Sequence, residues 1–194
     1  MDSGHPLLIP LDAPGQWDEQ IVGGKAAKLA RLARAGFEVP RGFCLTTRAY
    51  QAFVQNAGIT AALRMELGRK SMDDMRWEEI WDAALRIRAT FLAQPLDGVL
   101  RETIAQGLAG FDASTPLAVR SSAVGEDAAG RSFAGLHESI IGVRGQQAVE
   151  DAVRLVWASL WSDAALLYRK ELGLDAANSR MAVLVQAMVD ADRS

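Results

Sequence analysis

The apolar positions change their period along the chain. Ala26, Leu29, Ala30 and Ala33 recur at helical spacing and predict a helix over residues 24–35 that Gly36 closes, with Lys25 in its first turn. After Val39-Pro40 a short extended run from Gly42 to Leu45 leads to Thr46 or Thr47, the expected N-cap of a helix through Tyr50, Phe53 and Val54 that stops near Gly58. Residues 76–93 carry the clearest helical pattern, with Trp77, Ile80, Trp81, Ala84, Ile87 and Phe91 read as one face. The two tryptophans are expected there as core anchors. Leu96, Val99, Leu100, Ile104, Leu108 and Phe111 continue helical spacing beyond Pro95, so residues 60–111 read as mostly helical.

Asp112-Ala113-Ser114-Thr115-Pro116 interrupts this pattern and is the best internal boundary, between an α-rich portion, 1–114, and a second portion, 115–194. Past it, Leu117 to Arg120 and Ser139 to Val143 read as strands on either side of a glycine-rich loop, and Met181 to Val189 as a nearly continuous buried strand. Ala148, Val149, Ala152, Val153, Val156, Trp157 and Leu160 mark an amphipathic helix, followed by another from about Asp163 to Leu172 that ends at Gly173. The expected fold class is α+β, a mixed sheet covered by helices. The chain shows no internal repeat and no low-complexity segment.

Composition narrows the class. With 194 residues, 49% hydrophobic and 23% charged, the chain can bury an ample core. A formal net charge of -3 lacks the basic excess of a general nucleic-acid binder, so any anion site must be focused. The single cysteine, Cys44, excludes an internal disulfide, suits a reducing cytoplasm, and reads as a small core residue in Phe43-Cys44-Leu45. The N-terminal residues do not resemble a secretory signal, and no apolar run is long enough to span a bilayer.

The chemistry concentrates on phosphate. Arg120 ends an apolar run and opens a stretch rich in glycine and hydroxyls that runs through Gly135, where backbone N–H groups can approach an anion and a planar guanidinium can hold two oxygens. Ser121, Ser122, Ser132 and Ser139 add hydroxyls, and Lys25 adds a charge at a helix start after Gly23-Gly24. Gly23-Gly24-Lys25 is not a Walker A loop, and by itself Lys25 reads equally as a solvated charge on a helix face. Glu126 and Asp127 read as solvating the loop tip. His137 stands at a strand entrance without a partner signature and reads as structural or supporting rather than as acid, base or phosphate acceptor. No carboxylate pair stands at ligand spacing, so the chain itself offers no metal site, and Mg²⁺ is expected to arrive with a nucleotide.

These residues resemble the N-terminal nucleotide-binding region of the pyruvate phosphate dikinase and phosphoenolpyruvate synthase family, which includes the rifampin phosphotransferases. The resemblance runs through Val22-Gly23-Gly24-Lys25-Ala26-Ala27-Lys28-Leu29, Gly36 to Phe43, Ala118-Val119-Arg120-Ser121-Ser122-Ala123, Glu126-Asp127 and Ser132-Phe133-Ala134-Gly135. It continues in Trp157-Ala158-Ser159-Leu160-Trp161-Ser162 and in the strand through Val185-Gln186-Ala187-Met188-Val189, so it covers essentially the whole chain. It implies part of an ATP-grasp fold, in which two lobes clamp ATP. By the same resemblance, Lys25 and Arg120 contact the ATP phosphates, Ser132, Gly135 and Ser139 belong to the loop over them, and Gln186, Met188 and Val189 lie beside adenine.

The chain departs from the family pattern at Leu136-His137, at Ser139 where threonine is usual, and at Val124-Gly125. Family members continue past the position of Ser194 into a second half of the clamp that holds Mg²⁺, a mobile histidine domain and a domain for pyruvate or phosphoenolpyruvate. The resemblance therefore implies an ATP-binding part of a phosphotransferase that is silent alone, with self-association through an exposed apolar face a further expectation. Two other readings stay open at this stage. One is a standalone nucleotide-binding or regulatory module without catalysis, and the other is a helical scaffold whose loop merely looks like an anion site.

Overall fold

The structure, a computed structural model, describes residues 6–14, 17–125, 136–176 and 178–189. Its elements follow in the order β1 (Leu8–Pro10), α1 (Glu19–Arg34), β2 (Gly42–Leu45), α2 (Thr47–Asn56), α3 (Ile59–Leu67), a 3₁₀ turn (Met72–Asp74) and α4 (Trp77–Ala93). They continue with α5 (Gly98–Leu108), β3 (Leu117–Ala123), β4 (Ser139–Val143), α6 (Gln146–Ser159), α7 (Asp163–Glu171) and β5 (Met181–Ala187). The fold is α+β.

A five-stranded sheet runs in the order β1-β2-β5-β3-β4. Every pairing among the described residues is antiparallel. The last strand, β5, enters between β2 and β3, so its apolar run Met181-Ala182-Val183-Leu184-Val185 is buried on both faces. That explains why the sequence there shows no alternation.

Register and side-chain alternation divide the sheet into two unlike faces. Phe43, Leu45, Val183, Val185, Leu117 and Val119 point into the main core with Tyr50, Phe53, Ile87, Phe91, Val153, Trp157 and Trp161 from α2, α4, α6 and the residues after α6. The opposite face carries Cys44, Ala182 and Leu184, covered by Val22, Ala26 and Ala27 of α1. Small residues on both partners let this helix lie close to the sheet. Burial pushes the Cys44 thiol well above its ordinary range, which keeps it protonated and suits a core residue.

The main core is held by aromatic packing. Phe53 stacks on Trp157 with centroids 5.2 Å apart, and Tyr50 stacks on Phe91 at 6.1 Å. Trp161 Nε1 donates to the Tyr50 hydroxyl at 3.0 Å, so the one polar atom of each ring meets the other inside the core.

Helix α4 corrects one expectation. Ile80, Ala84, Ile87 and Phe91 are buried as expected, but Trp77 is 64% and Trp81 46% exposed. At 100° per residue the buried set and the set Trp77-Trp81-Leu85 form adjacent stripes, and only the first can face α6 and α7. Strand β3 also runs to Ala123, three residues beyond the expected end at Arg120, because Ser121, Ser122 and Ala123 keep pairing with β5 as far as Met181.

Candidate functional site: a cationic face of the sheet

The site is assembled around a clasp between α1 and β3. α1 has one break, at Gly23, where φ is 73° and ψ is 169°. A side chain there is excluded twice: its conformation disfavours L residues, and a Cβ would lie 2.0 Å from the Ser122 carbonyl oxygen. Across that contact the Ser122 hydroxyl donates to the Val22 carbonyl at 2.7 Å and accepts from the Ala26 N–H at 3.1 Å. The serine thus caps the helical segment that restarts at Gly24, and Lys25 stands in its first turn. A helix start favours an anion, and the lysine adds a full charge to it.

This clasp corrects the assignment of two hydroxyls. Ser122 is fully buried and commits its hydroxyl to the α1 turn, so it is an architectural residue and not a phosphate ligand. Ser121 is 1% exposed and alternates onto the opposite, main-core face. Sequence reading took Gly23-Gly24 only as the lead into a helix start that carries Lys25. What the structure shows for Gly23 is closeness to a strand.

Arg120 lies two residues before Ser122 on β3, a separation of roughly 7 Å along a strand, and alternation puts it on the same face. It pairs with Leu184 of β5 on one side and with Ser139 of β4 on the other. Lys25, Arg120 and Ser139, drawn from α1, β3 and β4, therefore belong to one face of the sheet. Arg120 and Lys25 are both half-buried. Ser132 and Gly135, with Glu126 and Asp127, lie outside the described residues.

Gln186 stands further along the same face, and Met188 and Val189 follow just beyond the end of β5. Gln186 is 5% exposed, pairs with Gly42 and Ala118, and donates from Nε2 to the Pro40 carbonyl at 3.3 Å. β5 ends at Ala187, two residues short of the expected Val189. Beyond it, the Met188 N–H donates to the Pro116 carbonyl at 3.0 Å and its Sδ accepts from the Gly142 N–H at 3.1 Å. Met188 and Val189 are 37% and 69% exposed, an uncovered apolar pair. From Leu184, the partner of Arg120, to Met188 is four residues, or about 13 Å of extended chain.

His137 occupies the entrance to β4, where the Glu138 N–H donates to Ser159 Oγ at 3.1 Å and Glu138 pairs with Arg88 at 3.2 Å. Burial, with Arg169 and Lys25 adding like charge, pushes the imidazole down to about 4. At neutral pH it is an uncharged imidazole. Among the described residues no group of three or more His, Cys, Asp or Glu side chains could hold a metal ion.

The fold and the face together define an α+β domain that gathers a lysine at a helix start, an arginine and a serine on one sheet surface, with an apolar pair at its far end. Residues 19–194 match the family described as the pyruvate phosphate dikinase AMP/ATP-binding domain, and the chain belongs to that family. It is 39% identical to a phosphoenolpyruvate synthase of Aeropyrum pernix over 97% of this chain and 23% of that protein. It is 40% identical to a rifampicin phosphotransferase of Streptomyces sviceus over 87% of this chain and 19% of that one, and 35% identical to a phosphoenolpyruvate synthase of Escherichia coli over 98% and 25%. The chain thus spans about a quarter or less of the length of these relatives. No helix of the described residues is long and apolar enough to cross a membrane.

Proposed function

We propose that this chain supplies the phosphate-holding part of the ATP site in a phosphoenolpyruvate synthase or pyruvate phosphate dikinase-like phosphotransferase. ATP lies along the α1-covered face, its phosphates on Lys25, Arg120 and Ser139 and its adenine toward Gln186, Met188 and Val189. Ser132 and Gly135 close over the phosphates from the intervening loop. The roughly 13 Å between the two ends suits a nucleotide laid lengthwise. Adenine meets the uncovered Met188 and Val189, and Gln186 keeps the strand end in register through Pro40.

Arg120 and Lys25 hold and orient the phosphate oxygens and offset the negative charge that grows on them as the terminal group departs. Mg²⁺, when bound with the nucleotide, supplies further charge neutralisation. In the longer protein the phosphoryl group passes to a mobile histidine of another domain and then to pyruvate or a different acceptor. His137 is not that histidine, because burial beside two cations keeps it from carrying charge.

The observation that carries this reading is the Gly23–Ser122 clasp, which ties the turn bearing Lys25 to the strand bearing Arg120. Calorimetric titration of the chain with ATP tests it. Arg120→Ala and Lys25→Ala should each weaken ATP binding at least tenfold, about 1.4 kcal/mol, while leaving the folded state intact. Binding equal to wild type in both variants sinks the assignment. Wild-type affinity tighter than about 1 mM would in addition mark a site that works without a second lobe.

A further inference from the structure

The helical hairpin α2–α3 holds a cavity of about 510 Å³, a volume within the range of small-molecule sites. α2 ends at Asn56, α3 starts at Ile59, and Gly58 makes the turn between them with a φ of 67°. By their helical spacing Tyr50, Gln51, Val54 and Gln55 share one face of α2, and Thr60, Leu63, Arg64 and Leu67 share one face of α3. Asn178, Ser179 and Arg180, on their way into β5, close the third side. None of these residues belongs to the ATP assignment above.

The floor of the cavity is carbon. Tyr50, Val54 and Leu63 are buried, and the half-buried Leu67 packs against the same core. The Tyr50 hydroxyl is already engaged by Trp161 Nε1. Several polar groups of the rim are engaged too. The Thr60 hydroxyl donates to the Val54 carbonyl and the Ser179 hydroxyl to the Asp175 carbonyl, each at 3.4 Å, and Asn178 Nδ2 donates to Asp175 at 2.6 Å.

The two arginines are different. With its amide oxygen turned inward, Gln51 accepts from Arg180 Nε at 3.1 Å and from Nη1 at 3.3 Å, which fixes that guanidinium at the rim and engages two of its three nitrogens. Arg64 is exposed, and among the described residues its side chain makes no hydrogen bond or ion pair, so a ligand has no existing pair to break there. No aspartate or glutamate among the described residues lines the cavity. A carbon floor beneath uncompensated positive charge suits an amphipathic anion. A carboxylate fits the guanidinium fork with two coplanar oxygens and stays at the wet rim, while its apolar body displaces water from the floor. A phosphate, with charged oxygens on several sides, would have to turn one of them toward carbon.

We propose that the wedge between α2 and α3 is a binding site for a small monocarboxylate with an apolar or aromatic body. The carboxylate lies on Arg64 and Arg180, and the body lies on Tyr50, Val54, Leu63 and Leu67. The site stands on the helical side of the sheet and does not depend on where ATP binds. A ligand held there bridges the hairpin and the segment that leads into β5, which Gln51 and Arg180 already join.

The test is an amide NMR titration of the whole chain, without ATP, using hydrocinnamate as the probe. Hydrocinnamyl alcohol supplies the same body without the charge, and acetate and inorganic phosphate supply charge without the body. Hydrocinnamate should bind saturably, with a dissociation constant in the millimolar range or tighter, and shift amides of α2, α3 and residues 178–180. The alcohol, acetate and phosphate should each bind at least about tenfold more weakly, and Arg64→Glu and Arg180→Gln should each weaken hydrocinnamate by about the same factor. Both arginines are exposed, and the amide spectrum of each variant reports directly that it is folded. Absence of saturable shifts overturns the proposal, as do shifts confined to other parts of the chain or an affinity that Arg64→Glu leaves unchanged. Acetate or phosphate binding there as tightly as hydrocinnamate overturns it as well, because charge alone would then account for the site.

Discussion

The two faces of the sheet are built on opposite principles. One is packed against the six helices α2 to α7 and filled with Trp157, Trp161, Phe53, Phe91 and large aliphatic residues, all nearly or completely buried. The other is covered by α1 alone, through Val22, Ala26 and Ala27 against Cys44, Ala182 and Leu184, and it leaves Arg120, Ser139 and Met188 beside the helix rather than under it. Apolar burial scales with the area removed from water, so the first face supplies most of the stability and the second is free to present charge. The proposed ATP site falls on the face that contributes least to folding.

The sharpest break of this comparison is to empty the aromatic core. Trp157→Ala removes a fully buried ring that stacks on Phe53 and meets Tyr50 edge-on at 5.9 Å. The expected loss is roughly 3–5 kcal/mol, read as a fall in the urea midpoint with little change in slope. A loss below about 1 kcal/mol would show that the main core is looser than this packing implies.

On the thin face the equivalent test is a single methyl group. Gly23→Ala places a Cβ against the Ser122 backbone in a conformation alanine avoids, so α1 must shift off β3. A cost on the order of 2–4 kcal/mol is expected, together with weakened ATP binding, since Lys25 moves with the turn. Unaltered stability and unaltered ATP affinity would show that the clasp does not position the lysine.

Proton linkage separates the faces in another way. Because the folded protein holds the His137 imidazole at about 4 against an ordinary 6.5, the unfolded chain binds more protons between those values. Stability from this group is therefore complete above pH 6.5 and is lost as pH falls toward 4, by at most on the order of 3 kcal/mol. His137→Gln should flatten the stability profile across that window. A variant that keeps the wild-type slope would assign the acid sensitivity elsewhere.

These contrasts also explain what could be read from the residues alone. The helix α6 was legible because Val149, Ala152, Val153, Val156 and Trp157 keep one period and meet one face. Arg120 and Ser139 were legible as candidates, but their common face depends on β5 entering between β2 and β3, a pairing set by chain far downstream. Ser122 was misread because its hydroxyl is chemically fit for phosphate, and only the fold shows it committed to Val22 and Ala26. The first turn of α1 was hidden by Gly23, a true break in φ and ψ that nevertheless joins two helical segments. β1 was missed because Leu8-Ile9-Pro10 is too short for a period and carries a proline, tolerated there because the strand is at the sheet edge.

The smallest expected effect tests the same comparison from outside the core. In α4 a tryptophan pattern that looks like the core signature of α6 turns outward, since Ile80, Ala84, Ile87 and Phe91 already fill the stripe that faces α6 and α7. Residue size does not decide burial when a helix has only one covered face. Trp81→Ser should therefore change stability by no more than about 0.5 kcal/mol, against the several expected for Trp157→Ala. The tryptophan fluorescence of the native protein should also be quenched by iodide less fully in Trp81→Ser than in wild type, because an accessible ring has been removed. A loss of stability approaching that of Trp157→Ala would mean that Trp81 is covered in solution, and the contrast between a packed face and an uncovered helix ridge would then have to be withdrawn.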